Sequence, residues 1–300
     1  MIGSPSVTVL VTTYNRKAEI GCCLDSVLRQ DYPCEVLVLD DASSDGTMEY
    51  VHEHYPQVRI DRVEKNVGLI GQRTRGGQLA TGDIVISIDD DIELMANDTV
   101  SRVVAAFDAP DIAAVTFPSI DVRKGPRVLS DPPSDDRRYA TAEYRGGVVA
   151  MRRDVFNRLG GYDARLYRQG EEMDLAIRLY AAGYVVAMAQ ATPVHHYEAP
   201  HPMKSTAVYY RARNTMLFCW WRLPWRSIPL YVVVRTWNLL KLGLRIGFPL
   251  TTLRGIAAGH WLGLTDLASR QAPSQKVFKT FEWLRRGGPQ PLDEVRRRLA

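Results

Sequence analysis

Three consecutive carboxylates, Asp89, Asp90 and Asp91, follow the short apolar run 84–88. The run is β-branched and preceded by a glycine, which is typical of a buried strand. Carboxylates this close together raise one another's pKa unless a cation lies among them. Oxygen ligands at a rigid strand end suit Mg²⁺ or Mn²⁺, which commonly bridges phosphate oxygens. The alternative is a solvated acidic turn or a helix N-cap without a metal.

The alternation of side chains distinguishes the three carboxylates. Successive side chains of an extended segment point to opposite faces, so Asp89 and Asp91 should share one side. We therefore predict that Asp89 and Asp91 bind the metal. Asp90 is predicted to be either a partner of a ribose or a structural cap.

Apolar segments alternate with helical patterns along the first two thirds of the chain. The segments typical of strands are 7–11, 34–39, 58–63, 84–88, 113–117, 146–151 and 184–188. The helical patterns are 20–28, 47–54, 70–80, 97–107 and 171–183. This alternation predicts an α/β fold, with a Rossmann-like open, mostly parallel sheet flanked by helices.

Polar residues gather where three of these strands end, at 12–16, 40–45 and 89–91. In open parallel sheets, ligands bind outside the carboxyl ends of the strands. The three polar segments should therefore meet at the same edge of the sheet. The sequence predicts a single binding site built from all of them.

The composition is that of an ordinary globular protein. A chain of 300 residues can form one large α/β domain with an extension, or two small domains. Hydrophobic residues make up 46% and charged residues 24%, and the net charge of +4 does not indicate a nucleic-acid-binding protein. Four cysteines without zinc or disulfide spacing favour a reducing compartment. The first residues lack the pattern of a secretion signal, so we expect a cytoplasmic protein.

The polar segments resemble the motifs of the family 2 glycosyltransferases of the GT-A fold. Residues 13–16 (TYNR), 40–47 (DDASSDGT) and 66–68 (NVG) are similar to the family's TYNR, DDxSxDGT and NxG elements. Residues 89–91 resemble its metal-binding DxD element. Residues 160–163 (GGYD), followed by 171–175 (EEMDL) and Arg178, are similar to GGFD…EDxDLxxR. The resemblance covers residues 5–200 in the expected order and implies inverting sugar transfer from a nucleotide-activated donor.

The resemblance places the donor, a UDP- or dTDP-sugar, at the strand ends. Asp40 or Asp41 would accept the N3–H of the pyrimidine, although Asp-Gly-Thr chemistry also makes Asp41 or Asp45 a turn residue. Arg73 matches a basic residue near the diphosphate, or else is a solvated surface side chain. The other donor-binding positions implied are Thr12, Thr13, Tyr14, Asn15, Asn66, Asp89 and Asp90.

Glu172 takes the second position of the acidic pair, where the family more often has Asp. The resemblance implies that this carboxylate removes the proton of the acceptor hydroxyl. Glu171 and Asp174 are rival positions, and acids favoured by the dipole of a helix N-terminus are the alternative explanation. His195 or His196 lies where the family often has a metal-binding histidine. Adjacent residues after a strand point to opposite faces, so at most one of them should bind the metal.

The last third of the chain is basic and aromatic, with no Asp or Glu between residues 201 and 260. The apolar run 228–250 contains Arg235, Lys241 and Arg245, so it is a poor transmembrane span. This composition indicates peripheral contact with anionic lipid at the inner face of a membrane. The alternative is packing onto the catalytic domain or onto a second subunit of a homo-oligomer. We predict a catalytic domain at 1–200 and a helical extension at 201–300.

These features together predict a glycosyltransferase that depends on Mg²⁺ or Mn²⁺ and glycosylates a hydroxyl-bearing acceptor, lipid-linked in one interpretation. Cell-envelope polysaccharide, glycolipid and natural-product glycosylation are the candidate settings. A sugar nucleotidyltransferase would need a Gly-rich loop with Arg and Lys after the first strand, which 12–16 is not. A non-catalytic nucleotide-sugar-binding protein would not need acidic residues at all three places. Residues 121–144 are predicted to form a mobile loop that contributes to acceptor selection.

Overall fold

A computed structural model describes residues 4–198 and 205–300 of the chain. Its strands, in chain order, are β1 (Val7–Thr13), β2 (Glu35–Asp40), β3 (Arg59–Arg62), β4 (Ile84–Asp89), β5 (Ile92–Glu93), β6 (Ile112–Thr116), β7 (Ser119–Asp121), β8 (Val128–Leu129), β9 (Tyr139–Ala140), β10 (Val148–Arg152), β11 (Val185–Met188), β12 (Val194–His196) and β13 (Gln290–Pro291). These strands form two sheets, of nine and four strands within the described residues.

Helices cover the larger sheet and make up most of the last third of the chain. The α-helices are α1 (Ile20–Leu28), α2 (Thr47–His54), α3 (Gly68–Leu79), α4 (Thr99–Ala105), α5 (Arg153–Arg158), α6 (Glu171–Ala181), α7 (Ser205–Arg222), α8 (Ile228–Arg245), α9 (Pro249–Thr265), α10 (Gln275–Gly287) and α11 (Leu292–Leu299). Short 3₁₀ helices occur at Ala164–Leu166, Trp225–Ser227 and Leu267–Ser269. The predicted α/β sheet with a helical C-terminal region is confirmed.

The larger sheet has the strand order β13-β9-β11-β6-β10-β4-β1-β2-β3. The neighbours β4, β1, β2 and β3 run parallel, whereas β10 is antiparallel to both β4 and β6. All seven residues of β1 are buried. A strand of a parallel sheet is covered on both faces, which is why β1 reads as a continuous apolar and threonine run rather than an alternating one.

The register brings the polar strand ends together. Thr12 lies opposite Asp89 on β4, and Thr13 lies opposite Asp40 on β2. Because these strands are parallel, their carboxyl ends share one edge of the sheet. The predicted convergence of the three polar segments therefore follows directly from the strand pairing.

The smaller sheet, in the order β5-β12-β7-β8, lies next to the acidic segment. Strand β5 begins at Ile92, directly after Asp91, and pairs antiparallel with β12. In this pairing His196 lies opposite Ile92, and His195 lies opposite Glu93. The segment predicted as a loop at 121–144 contains the short strands β8 and β9.

The C-terminal region packs back onto the sheet domain. Strand β13 pairs with β9 at the sheet edge, and the Phe281 ring of α10 lies 5.8 Å from the Tyr180 ring of α6. Helices α7 and α9 pack closely, since a Cβ on Gly259 would lie 2.4 Å from the carbonyl oxygen of Arg213. The boundary predicted at residue 200 lies outside the described residues. Within the described ranges, no helix is long and apolar enough to cross a membrane.

Candidate active site

An open cavity of about 470 Å³ lies at the carboxyl edge of β1, β2 and β4. The residues predicted to bind donor or metal that line it are Thr12, Thr13, Tyr14, Asp41, Asn66, Asp89, Asp90, Asp91 and His196. Of the other described residues given these roles, four do not line it: Asn15, Asp40, Arg73 and His195. The first group therefore faces the cavity, whereas the second group lies behind or beside its lining.

Two carboxylates and one imidazole form a cluster suited to a divalent cation. The ligand atoms of Asp89, Asp91 and His196 all lie within 4.8 Å of one another. His196 Nε2 is 3.1 Å from Asp91 Oδ1. A donor set of carboxylate oxygens and an imidazole nitrogen suits Mn²⁺ and related cations. These residues therefore fit a metal site.

The strand register decides between the two histidines. His196 and its neighbour point to opposite faces of β12, and only His196 is directed toward Asp91. His195 instead packs its ring edge-on against Tyr197, with ring centroids 6.2 Å apart. Of the two histidines, His196 lies in the cluster with Asp89 and Asp91, and the prediction that at most one of the pair binds a metal is carried forward with His196 as the candidate.

Asp90 lies beneath the cluster and is buried. Burial and the charges of Asp91 and Asp89 raise its pKa to about 7, although the nearby Thr13 hydroxyl and the charge of Arg16 oppose the shift. Burial is the largest cause of this shift, and the repulsion expected between neighbouring carboxylates adds to it. It is the physical reason why this strand end suits a bound positive charge.

Arg73 holds Asp89 in place. Its Nη2 is 2.6 Å from Asp89 Oδ1, and its side chain is only 3% exposed. It is therefore not a solvated surface side chain, which corrects that interpretation, whereas its predicted place near the diphosphate stays a prediction. A Cβ on Gly146 would lie 2.1 Å from Arg73 Nη1, and one on Gly147 would lie 2.2 Å from Asp89 Oδ2. The two glycines let the backbone pack onto this ion pair, a role that the sequence did not reveal.

The two adjacent aspartates after β2 have different roles. Asp41 Oδ1 accepts the backbone N–H of Val67 at 2.7 Å, and Oδ2 accepts that of Gly68 at 2.9 Å. Asp41 thus fixes the start of α3 while facing the cavity. Asp40 is fully buried, accepts the N–H of Ser43 at 3.1 Å and lies 3.4 Å from Arg62 Nε. Of the two candidates for pyrimidine recognition, only Asp41 is in the cavity.

Asn15 connects the first polar segment to the second. Its backbone has φ 54°, in the left-handed region that Asn tolerates. Its N–H donates to Ser43 Oγ at 2.8 Å, and its Oδ1 accepts the N–H of Ser44 at the same distance. Asn15 thus has a structural role in the loop, and the donor-binding role predicted for it stays a prediction. Asn66 approaches the carbonyl oxygen of Asp41 at 3.4 Å and faces the cavity.

A second cavity, of about 370 Å³, is lined by both glutamates at the start of α6. It adjoins the first, since Leu69 and Arg168 line both. Glu172 Oε1 accepts the backbone N–H of Gly146 at 3.3 Å. Burial, followed by the charge of Glu172, raises the pKa of Glu171 to about 7. The two carboxyl groups form a pair beside the first cavity.

Asp174 belongs to a buried ion-pair network rather than to either cavity. Its Oδ2 accepts Arg178 Nε at 2.8 Å, and its Oδ1 accepts Arg222 Nε of α7 at 2.5 Å. All three side chains are almost completely buried. Asp174 is buried between two guanidinium groups and lines neither cavity, so it is not placed to act as the base. Glu172 and Glu171 remain as candidates for the general base.

An open, mostly parallel sheet with a metal-type acidic cluster and a neighbouring carboxylate defines a GT-A glycosyltransferase architecture. The mannosyltransferase PcManGT from Pyrobaculum calidifontis, solved with GDP-Man and Mn²⁺, superposes with a TM-score of 0.58 at 21% identity, over 88% of each chain. GalNAc-T7, solved with UDP, GalNAc and Mn²⁺, superposes with a TM-score of 0.62 at 17% identity, over 89% of this chain and 57% of that one. These similarities support the fold.

The sequence comparisons show the family. The model of Glycosyl transferase family 2 matches residues 8–160, about half of the chain, and the chain belongs to this family. A second model, the N-terminal domain of galactosyltransferase, matches residues 131–202. The N-acetylglucosaminyl-diphospho-decaprenol L-rhamnosyltransferase of Mycobacterium tuberculosis is 26% identical over 270 residues, covering 73% of this chain and 87% of the relative. The putative glycosyltransferase EpsE of Bacillus subtilis is 26% identical over 196 residues, 61% of this chain and 70% of the relative. The predicted family and glycosyltransferase activity are confirmed.

Proposed function

We propose that this chain is a metal-dependent, inverting glycosyltransferase with Glu172 as its general base. The observation that carries the proposal is the adjacency of two cavities, one holding the Asp89–Asp91–His196 cluster and the other holding Glu172. A donor diphosphate beside the cluster and an acceptor hydroxyl beside Glu172 would meet where the cavities join. A protein that only binds a nucleotide-sugar, without catalysis, would not need the carboxylates of the second cavity.

The cluster would hold Mn²⁺ or Mg²⁺, which when bound supplies Lewis-acid stabilisation of the diphosphate leaving group. Arg73 keeps Asp89 oriented toward the cluster by its 2.6 Å contact. The acceptor oxygen forms its bond to the anomeric carbon while the bond from that carbon to the diphosphate oxygen breaks. Glu172 takes the hydroxyl proton in this step. Attack opposite the leaving group inverts the anomeric configuration.

The donor base in this proposal is a pyrimidine, bound by Asp41. An ionised carboxylate has about four lone-pair positions. Those of Asp41 accept the N–H groups of Val67 and Gly68 and the side-chain amide of Gln72. One acceptor position is left for the N3–H of uracil or thymine. The UDP and GDP-Man named for the structural neighbours belong to those proteins, and the proposal assigns the remaining acceptor position of Asp41 to the base of a UDP- or dTDP-sugar.

The acceptor is proposed to lie at a membrane surface, because α8 and α9 expose an apolar face. Its residues recur at helical spacing and are more than 45% exposed: Leu230, Val233, Val234, Trp237, Leu244, Leu250, Leu253 and Trp261. Lys241, Arg245 and Arg254 are exposed on the same two helices. Apolar side chains with a basic margin suit an anionic bilayer surface. A homo-oligomer would bury the apolar residues but would bring the basic groups of two copies together.

The test is the Glu172→Gln variant. A thermal-shift panel of UDP- and dTDP-sugars with Mn²⁺ first selects the donor, and turnover is then followed as release of the nucleoside diphosphate. We expect turnover to fall by about a hundredfold, the usual scale of a lost acid–base group. Nucleotide affinity should stay unchanged, as should all properties of the exposed control variant Glu53→Gln. Near-normal turnover in Glu172→Gln would mean that another carboxylate is the base.

A further inference from the structure

The second cavity carries positive charge that the proton transfer does not require. Arg168 and Arg211 line it together with Glu171 and Glu172. Both arginine side chains are exposed. Within residues 4–198 and 205–300, neither guanidinium group makes a hydrogen bond or an ion pair, whereas most arginines of the sheet domain do. Two guanidinium groups without partners beside the proposed base indicate a ligand with negative charge.

The backbone that presents Arg168 is held in an unfavourable conformation. Tyr167 and Gln169 have φ values of 61° and 66°, and Gly170 follows with φ 90°. Left-handed backbone at a non-glycine residue is unfavourable and persists where the surroundings impose it. This strained segment directly precedes the glutamate pair, so its shape fixes Arg168 relative to the proposed base.

Asn214 of α7 imposes that conformation. Its side-chain amide donates to the carbonyl oxygens of Leu166, Arg168 and Gln169 at 2.7–2.9 Å. Arg211 lies one helical turn earlier on α7, so the same helix supplies both the Asn214 amide that holds the 166–169 backbone and the second guanidinium group. The pair is therefore a built feature of the cavity rather than two unrelated surface side chains.

The positions of the two arginines indicate that they serve the acceptor rather than the donor. Arg211 lines only the second cavity, on the side of Glu172, whereas Arg168 lies where the two cavities join. An acceptor with only neutral hydroxyl groups could accept hydrogen bonds here but would leave the charge of both arginines uncompensated. A phosphate or diphosphate next to the hydroxyl would receive bidentate guanidinium contacts. Helix α7 also packs against α9, which carries part of the exposed apolar face.

We propose that Arg168 and Arg211 bind the phosphate or diphosphate group of a lipid acceptor, whose apolar tail lies along the exposed face of α8 and α9. The inference rests on the proposed function, because it names the acceptor class of the same site. It makes Arg211 a specificity-determining residue for the acceptor, with no part in donor binding. Asn214 is then a positioning residue for Arg168.

The probe is farnesyl diphosphate, titrated by calorimetry into the full chain in EDTA, which suppresses metal-dependent binding of the diphosphate at the donor cluster. The wild type should bind it, and Arg211→Gln and Arg168→Gln should each weaken binding by about tenfold or more, the scale of a lost charged hydrogen bond. The matched control is Arg297→Gln, since Arg297 is exposed and pairs only with Asp293 of its own helix. Farnesol and inorganic pyrophosphate should both bind more weakly than farnesyl diphosphate.

Three results would overturn the inference. One is unchanged affinity for farnesyl diphosphate in Arg211→Gln. Another is loss of UDP affinity, measured with Mn²⁺, in Arg211→Gln, which would assign this arginine to the donor. The third is binding of pyrophosphate as tightly as farnesyl diphosphate, which would show that the apolar tail adds nothing to the affinity and would exclude a lipid acceptor. Each leaves the Glu172→Gln test untouched, so failure here is distinguishable from failure of the proposed function.

Discussion

Glu171 is a buried carboxyl group whose ionisation should cost stability. Its side chain is 5% exposed, and Oε2 has no hydrogen-bond partner within the described residues. Burial, then the charge of Glu172, raises its pKa from 4.5 to about 7 in the folded chain. The folded state therefore holds this proton more tightly than the unfolded state. Stability is lost as the pH rises from about 4.5 to about 7.

The size of the effect follows from the shift. The difference between about 7 and 4.5 is about 2.5 pKa units. At 1.36 kcal/mol per unit, the ionised group destabilises the fold by up to about 3 kcal/mol above pH 7. Glu171→Gln removes the charge and keeps the shape of the side chain. We therefore expect Glu171→Gln to be more stable than the wild type at pH 8 and nearly equal to it at pH 5.

Urea denaturation at pH 5 and at pH 8, in EDTA, measures this difference. The control is Glu53→Gln, an exposed glutamate on α2, which should follow the wild type at both pH values. The wild type should lose stability between the two pH values by more than Glu171→Gln does. An equal loss in both proteins would show that Glu171 is not held protonated by its surroundings, and the account of the glutamate pair would fail.

Three further predictions concern the metal, the fold and the surface. Asp91→Asn should reduce the affinity for UDP in Mn²⁺ to the value that the wild type shows in EDTA, as measured by calorimetry; Mn²⁺-dependent binding that persists would remove Asp91 from the metal site. Asp174→Asn should destabilise the chain by about 3 kcal/mol in urea, because it leaves the buried Arg178 and Arg222 without a full counter-charge; unchanged stability would contradict the network. The chain should sediment with anionic liposomes at low salt and be released at high salt, whereas Trp237→Glu should not bind; sedimentation that does not depend on lipid charge would contradict the basic margin.

The sequence was sufficient for the sheet because its strands are buried on both faces. Strands β1, β2 and β4 are short apolar runs, and each ends in polar residues that the parallel register brings to one edge. That local pattern is enough to place Asp41, Asp89 and Asp91 near each other. It also predicts the alternation that puts Asp89 and Asp91 in one cluster.

The remaining assignments depended on contacts that local spacing does not encode. Choosing His196 over His195 required the pairing of β12 with β5. Asp40 and Asp41 are neighbours in sequence, but only their surroundings show that Asp40 is enclosed by its own turn. The exclusion of Asp174 came from Arg222, 48 residues further along the chain. No periodicity could have revealed that pairing.

Helix α7 contacts the segment that carries the proposed base at two points. Asn214 holds the carbonyl oxygens before α6, and Arg222 binds Asp174 within the first turn of α6. Glu172 lies between these two anchors, so its position depends on both. The division into a catalytic domain at 1–200 and an extension at 201–300 stays a prediction about motifs. The two contacts make α7 part of the frame that orients the proposed base, so an acceptor bound to the extension, as proposed above, would be coupled to the chemistry through this helix.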